Sequence, residues 1–191
     1  MMRRLLLASE SPRRRELIGL LGREAVCEGV SLPEPMGDFE TPEEIVMALS
    51  FEKAWKAAQN SKWHDYVIIG SDTIVCLDGR KLGKPENEAE AHQMLMLLSG
   101  RTHQVFTGLC LICPELGLKI VDYSVTQVEM GPYSATKAWS YVHSGEVFGK
   151  AGAYAIQGLG STMVKAIHGD FFTVVGLPVY LLGQLLEQHS L

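Results

Sequence analysis

The feature that most limits the folds open to this chain is its opening, Leu5-Leu6-Leu7-Ala8-Ser9-Glu10-Ser11-Pro12. The short apolar run over residues 4–8 reads as a buried strand rather than a helix. Ser11 and Pro12 then begin a helix that extends to Leu21, because proline suits the first helical position, where a missing N–H costs nothing. Leu17, Ile18, Leu20 and Leu21 supply its apolar side. A strand, a turn and a helix in that order are the beginning of an α/β protein.

The rest of the chain keeps mixing isolated strands, hairpins and helices. Thr41-Pro42-Glu43-Glu44 combines a cap, a first-position proline and a capping box, and predicts a helix running to about Asn60. Tyr66 to Gly70 reads as a short strand, and Asp72 to Leu77 continues extended into Asp78-Gly79, a hairpin turn. A helix follows over 86–98. The alternating stretches Gln104 to Cys113 and Lys119 to Glu129 flank Pro-Glu-Leu-Gly and form another hairpin. A helix over 134–143, a glycine-rich loop over 149–160, a strand pair turning at His168-Gly169-Asp170 and a terminal helix opened by Pro178 complete the chain. This order predicts α/β architecture, with a mixed sheet, helices on its faces and two lobes within one domain spanning 1–191.

Composition narrows the function. With 47% hydrophobic and 20% charged residues, the chain can build a core and is not disordered. Its net charge of −5 argues against coating nucleic acid, so an anionic ligand must be small and met by locally focused charge. No apolar run approaches the roughly 18 residues that span a bilayer, and the start lacks a signal-peptide pattern, so a cytoplasmic location is expected and no membrane partner. Cys27, Cys76, Cys110 and Cys113 are too few and scattered for a disulfide scaffold. Cys110 and Cys113 form a C-x-x-C, but on a strand residues three apart face opposite ways, and no second cysteine pair completes a zinc site.

Several side chains carry chemistry. Arg13 and Arg14 sit in a first helical turn, against the dipole, at a cost of about 0.3–1 kcal/mol on an exposed surface. Beside the unpaired N–H groups of a helix start, their forked charge suits a polyphosphate. Lys53 shares a four-residue spacing with Ile45, Leu49 and Ala57, so it either snorkels outward or points its ammonium into a cleft. Asp72 follows an apolar strand, where α/β proteins gather ligands, and is a catalytic candidate unless it bonds its own turn. Lys84, after Gly83, returns toward Asp72 across the hairpin or is an ordinary surface lysine. Glu34, between Pro33 and Pro35, reads as solvated on its own; with Asp72 it offers the carboxylates for a divalent metal if the cations gather a polyphosphate. Gln157 has the amide donor and acceptor to read a base edge. There is no P-loop, Rossmann fingerprint, H-E-x-x-H or G-x-S-x-G.

Together these segments closely resemble the Maf family of nucleoside triphosphate pyrophosphatases. The likeness rests on Leu-Ala-Ser-Glu-Ser-Pro-Arg-Arg ending at Arg14, Glu-Lys-Ala (52–54), Gly-Ser-Asp-Thr-Ile-Val (70–75), Gly-Lys-Pro (83–85), the run from Leu98 to Gly108, the run from Lys150 to Gly158, and Val-Val-Gly-Leu-Pro (174–178). The resemblance implies an elongated mixed sheet in two lobes with a central cleft, similar to the inosine triphosphatase fold. It implies Mg²⁺ or Mn²⁺ and a homodimer. By motif position, Ser9, Arg13, Arg14, Glu34, Lys53, Asp72, Lys84 and Gln157 match the family's site residues, with Arg13, Thr73 and Gln157 linked to base choice. The loop around Glu34, Ser-Leu-Pro-Glu-Pro-Met, departs from the acidic pair often seen there. The Tyr-x-Ile-Gln-Gly ending looks like the branch acting on dTTP and UTP, which implies attack of water on the α-phosphorus and release of pyrophosphate. Two other expectations compete: a 7-methyl-GTP or purine house-cleaning pyrophosphatase, and a nucleotide-responsive inhibitor of septum formation.

Overall fold

The computed structural model describes residues 3–30, 32 and 41–191. Its strands are β1 (Leu5–Ala8), β2 (Ala25–Glu28), β3 (Val67–Leu77), β4 (Arg80–Leu82), β5 (Thr102–Cys113), β6 (Leu118–Met130) and β7 (Val164–His168). The α-helices are α1 (Pro12–Gly19), α2 (Pro42–Ala58), α3 (Glu88–Leu98), α4 (Ala135–Val142), α5 (Phe171–Val175) and α6 (Val179–Gln188). The strands pair in the order β2-β1-β3-β5-β6-β7, with β4 hydrogen-bonded to β3. β1 pairs in parallel with both β2 and β3, while β3–β4 and β6–β7 are antiparallel, so the sheet is mixed as expected.

The chain divides into two compact units. The first comprises Met1–Thr73, Thr107–Ser124 and Gly176–Leu191, and the second Ile74–Phe106 and Val125–Val175. In the first, Leu6, Ala8, Ile68, Cys110 and Ile112 of the strands pack with Ala54 and Ala57 of α2. Leu5, Leu6 and Leu7 are fully buried, each contributing about 1.5–3 kcal/mol of hydrophobic stabilisation. In the second, Leu95 and Leu98 of α3 and Val142 of α4 pack with Val75, Val128 and Met130 of the sheet.

Local chemistry accounts for most element ends. Thr41 Oγ1 accepts the Glu44 N–H at 3.2 Å and Glu44 Oε2 accepts the Thr41 N–H at 3.2 Å, the reciprocal capping box read from the sequence. Asp78 and Gly79, at φ 49° and 76°, form the tight turn between β3 and β4. Cys110 and Cys113 lie buried on β5, where burial pushes the Cys110 thiol up to about 12 against the opposing pull of Lys119.

One expectation differs from what is found, and one strand has no counterpart in the sequence reading. The expected strand pair around His168-Gly169-Asp170 is one strand, β7, followed by α5. The reason is Asp170, whose Oδ2 accepts the Thr173 N–H at 2.6 Å and the Thr173 hydroxyl at 2.7 Å, an N-terminal cap that overrides the β-branched composition of Phe171–Val175. β2 was not foreseen, since four half-buried residues carry no alternation to reveal them. The glycine-rich stretch also contains 3-10 turns over Ala151–Ala153 and Gly158–Met163.

Candidate active site

The first unit gathers a group of charged side chains at the ends of β1 and α1 and the middle of β3, and two glycines make the gathering geometrically feasible. A Cβ on Gly70 would stand 2.0 Å from the Ser50 carbonyl oxygen and 2.9 Å from the Ala54 nitrogen. One on Gly108 would stand 2.0 Å from the Val46 carbonyl oxygen. Only glycine at both positions lets the α2 backbone lie this close to β3 and β5. That approach carries Lys53 to Asp72.

Lys53 donates its ammonium to Asp72 Oδ1 in an ion pair and to the Ser71 carbonyl at 3.3 Å. The two side chains are 17% and 18% exposed, so Lys53 turns inward rather than snorkelling.

Arg14 is the second anchor. Its Nε donates to the Gly176 carbonyl at 2.6 Å and its Nη2 to Thr73 Oγ1 at 2.9 Å. Thr73 shares a further 2.9 Å hydrogen bond with the buried Thr107 hydroxyl. The Gly176 carbonyl also accepts the buried Ser71 hydroxyl at 3.0 Å. Gly176 has φ 121°, and a Cβ there would meet Thr73 Oγ1 at 3.3 Å and Arg14 Nε at 3.5 Å. Burial lowers the affinity of the Arg14 guanidinium for its proton; Asp72 opposes that and Arg13 adds to it. Arg14 and Lys53 set positive charge beside the Asp72 carboxylate, with Arg13 next to Arg14, although the chain as a whole carries −5, and charge focused in this way suits a small polyanion.

Ser9 closes β1 and is 5% exposed. Its Oγ accepts the Ser11 N–H at 3.2 Å, and Ser11 caps α1 by accepting from the Arg14 N–H at 3.5 Å. The serine-proline opening is therefore what sets Arg13 and Arg14 in the first turn. Ser9, Arg14, Lys53, Asp72 and Thr73 are thus all held in the first unit, and Arg13 lies close enough to act on Arg14.

Lys84 and Gln157 belong to the second unit. Lys84 is exposed, between Gly83 and the buried Pro85. The Gly83 carbonyl accepts the Gly152 N–H at 2.9 Å, which ties the Gly-Lys-Pro segment to the glycine-rich stretch preceding Gln157. Gln157 is half-buried and opens the 3-10 turn over Gly158–Met163 without a side-chain cap bond. In the same unit the buried His103 Nε2 and Tyr154 hydroxyl lie 2.7 Å apart, joining two of the motifs.

Glu34 lies outside the described residues. Among those described, no cluster of three or more His, Cys, Asp and Glu side chains could cage a metal by itself. Mg²⁺ is commonly held by one or two carboxylates, with waters and substrate phosphates filling the remaining positions. The Asp72 carboxylate fits that donor chemistry.

Sequence reasoning missed Gly70, Gly108, Ser71, Thr107 and Gly176 as parts of this arrangement. Each stands in a quoted motif, but their service is to backbone approach and to carbonyl geometry, which no spacing rule reveals.

Comparison with known proteins agrees with the motif reading. A family model described as Maf-like protein matches residues 4–189. A dTTP/UTP pyrophosphatase from Bacillus thuringiensis subsp. konkukian (strain 97-27) is 43% identical over 190 residues, covering 100% of this chain and 97% of that protein. One of the same description from Bacillus cereus (strain AH820) is 42% identical with the same coverage. Among solved structures, a HAM1 protein from Coxiella burnetii matches 98% of this chain and 100% of its own at a TM-score of 0.55 and 17% identity, a likeness of fold.

Proposed function

This chain belongs to the Maf family, and from that premise we propose that it hydrolyses the pyrimidine nucleoside triphosphates dTTP and UTP to the monophosphate and pyrophosphate. The observation that carries the reading is the Lys53–Asp72 ion pair with the buried Arg14 guanidinium beside it, Arg14 feeling both the Asp72 carboxylate and the charge of Arg13. It joins focused positive charge, suited to a triphosphate, with a proton acceptor.

In the proposed reaction, water attacks the α-phosphorus and the bond to the oxygen bridging the α- and β-phosphates breaks. Pyrophosphate leaves with that oxygen. Asp72 accepts the proton released by the attacking water, held in orientation by its ion pair with Lys53. Arg13, Arg14, Lys53 and Lys84 offset the charge that grows on the departing pyrophosphate, and Ser9 donates to a phosphate oxygen. Asp72 and Glu34 are the residues that would hold Mg²⁺ or Mn²⁺, which when bound polarises phosphoryl oxygens as a Lewis acid.

Thr73 and Gln157 are proposed to discriminate the base, Gln157 through its amide donor and acceptor. No helix among the described residues is long and apolar enough to cross a membrane. We further propose that the protein works in the cytoplasm as a homodimer.

A side-by-side panel of dTTP, UTP, CTP, 7-methyl-GTP and ITP tests the substrate. The highest kcat/KM is expected for dTTP and UTP. A clear preference for 7-methyl-GTP or ITP overturns the pyrimidine reading.

A further inference from the structure

On either side of Gln157 the loop is held by a pair of side chains. Tyr141, buried on α4, accepts the Ala155 N–H at 3.1 Å and donates its hydroxyl to Glu146 Oε1 at 3.0 Å. Glu146 accepts the Leu159 N–H on Oε2 at 3.0 Å and the Gly160 N–H on Oε1 at 3.4 Å. These bonds therefore close on both sides of Gln157, on the residue two before it and on those two and three after it.

The glycines of the loop are shaped to this pair. Gly158 has φ 69°, and a Cβ there would stand 2.8 Å from Glu146 Oε2. A Cβ on Gly160 would stand 2.7 Å from the Tyr141 hydroxyl and 2.3 Å from the Ala155 carbonyl oxygen. The phenol has one proton to give and gives it to the carboxylate, which leaves its oxygen as the acceptor for Ala155. An ionised carboxylate only accepts, so it meets two backbone N–H groups in charge-assisted bonds. Gln157 itself spends no amide on the turn that it opens.

We propose that Tyr141 and Glu146 are positioning residues that fix the backbone on either side of Gln157 and thereby set base discrimination. This rests on the reading of Gln157 as the residue that meets the base. Neither residue touches the reacting phosphates; both act through Gln157.

The test measures kcat and KM for dTTP and ITP in the wild type, Glu146→Ala, Glu146→Gln, Tyr141→Phe, Gln157→Ala and the double variant Glu146→Ala/Gln157→Ala. Glu146→Ala is expected to lose about tenfold in discrimination, the worth of one or two hydrogen bonds, chiefly as a higher KM for dTTP. Tyr141→Phe should follow it. Glu146→Gln keeps one accepting oxygen and should fall between. In the double variant the two losses should not add, because both changes remove the same contact. Amide hydrogen exchange at Ala155, Leu159 and Gly160 should quicken in Glu146→Ala.

Loss of discrimination in Gln157→Ala with full retention in Glu146→Ala and Tyr141→Phe overturns the positioning role. Unchanged discrimination in Gln157→Ala overturns base reading by Gln157, and the selectivity assigned to the pair falls with it; the exchange rates still show separately whether the pair holds the loop. Should Glu146→Ala not fold, Tyr141→Phe and Glu146→Gln carry the same comparison.

Discussion

Replacing Lys53 with methionine keeps the length of the side chain on α2 and removes the ammonium that faces Asp72. The pair is 17% and 18% exposed, between the solvent-exposed case and the fully buried one. Exposed pairs are worth about 0.2–1 kcal/mol, while stripping one partner from a buried pair costs about 3–5 kcal/mol. Lys53→Met should therefore cost about 1.5–3 kcal/mol, most of it the penalty of leaving the Asp72 carboxylate unpaired. For a chain of 191 residues this lowers Tm by about 3–12 °C. Activity should fall further, by two to three decades in kcat/KM, because loss of one positioned charge at a phosphoryl transition state is worth about 2.7–4 kcal/mol. Adding Asp72→Asn to Lys53→Met should recover part of the lost Tm, since the carboxylate left without its ammonium is removed, the recovery being limited because Arg14 loses the Asp72 charge as well, and should recover no activity. The assays are thermal unfolding and steady-state release of pyrophosphate from dTTP. A Lys53→Met protein with the wild-type Tm and with kcat/KM within about threefold of it would refute the ion pair as the organiser of the site.

Three other expectations stand beside it, the first two drawn from the structure and the third from the proposed function. Gly70→Ala drives a Cβ to within 2.0 Å of the Ser50 carbonyl, so α2 must move, and denaturant unfolding should show a loss of about 2–3 kcal/mol with kcat falling in parallel. Burial holds His103 neutral down to about pH 4, whereas an unfolded histidine takes up its proton near 6.5; the unfolded state then binds more protons in that window. Stability should decline by up to about 3 kcal/mol as pH falls from 6.5 to 4, and His103→Gln should flatten that decline in denaturant midpoints measured across the range. Removing divalent metal with a chelator should abolish pyrophosphate release, and Mg²⁺ or Mn²⁺ should restore it; undiminished turnover in the chelated protein contradicts the role given to Asp72 and Glu34.

Much of this molecule is legible in its residues because the relevant signals are local. The capping box at Thr41, the turn at Asp78-Gly79 and the serine-proline start of α1 all write their geometry into adjacent letters. Asp170 shows the limit of such reading. A β-branched pentapeptide reads as strand, yet one carboxylate caps it into a helix. Lys53 and Asp72 each stand out in the sequence, but their pairing depends on how closely α2 lies on the sheet, and that is decided by Gly70 and Gly108. Glu146 carries no local mark at all; following a Ser-Gly turn, it reads as ordinary surface, and only the fold brings Leu159 and Gly160 onto it.

The most direct test of the proposed reaction is hydrolysis of dTTP in ¹⁸O-enriched water with mass analysis of both products. Attack at the α-phosphorus places the heavy oxygen in the thymidine monophosphate and leaves the pyrophosphate unlabelled. Label in the pyrophosphate, or release of orthophosphate in its place, contradicts the reaction assigned to this site.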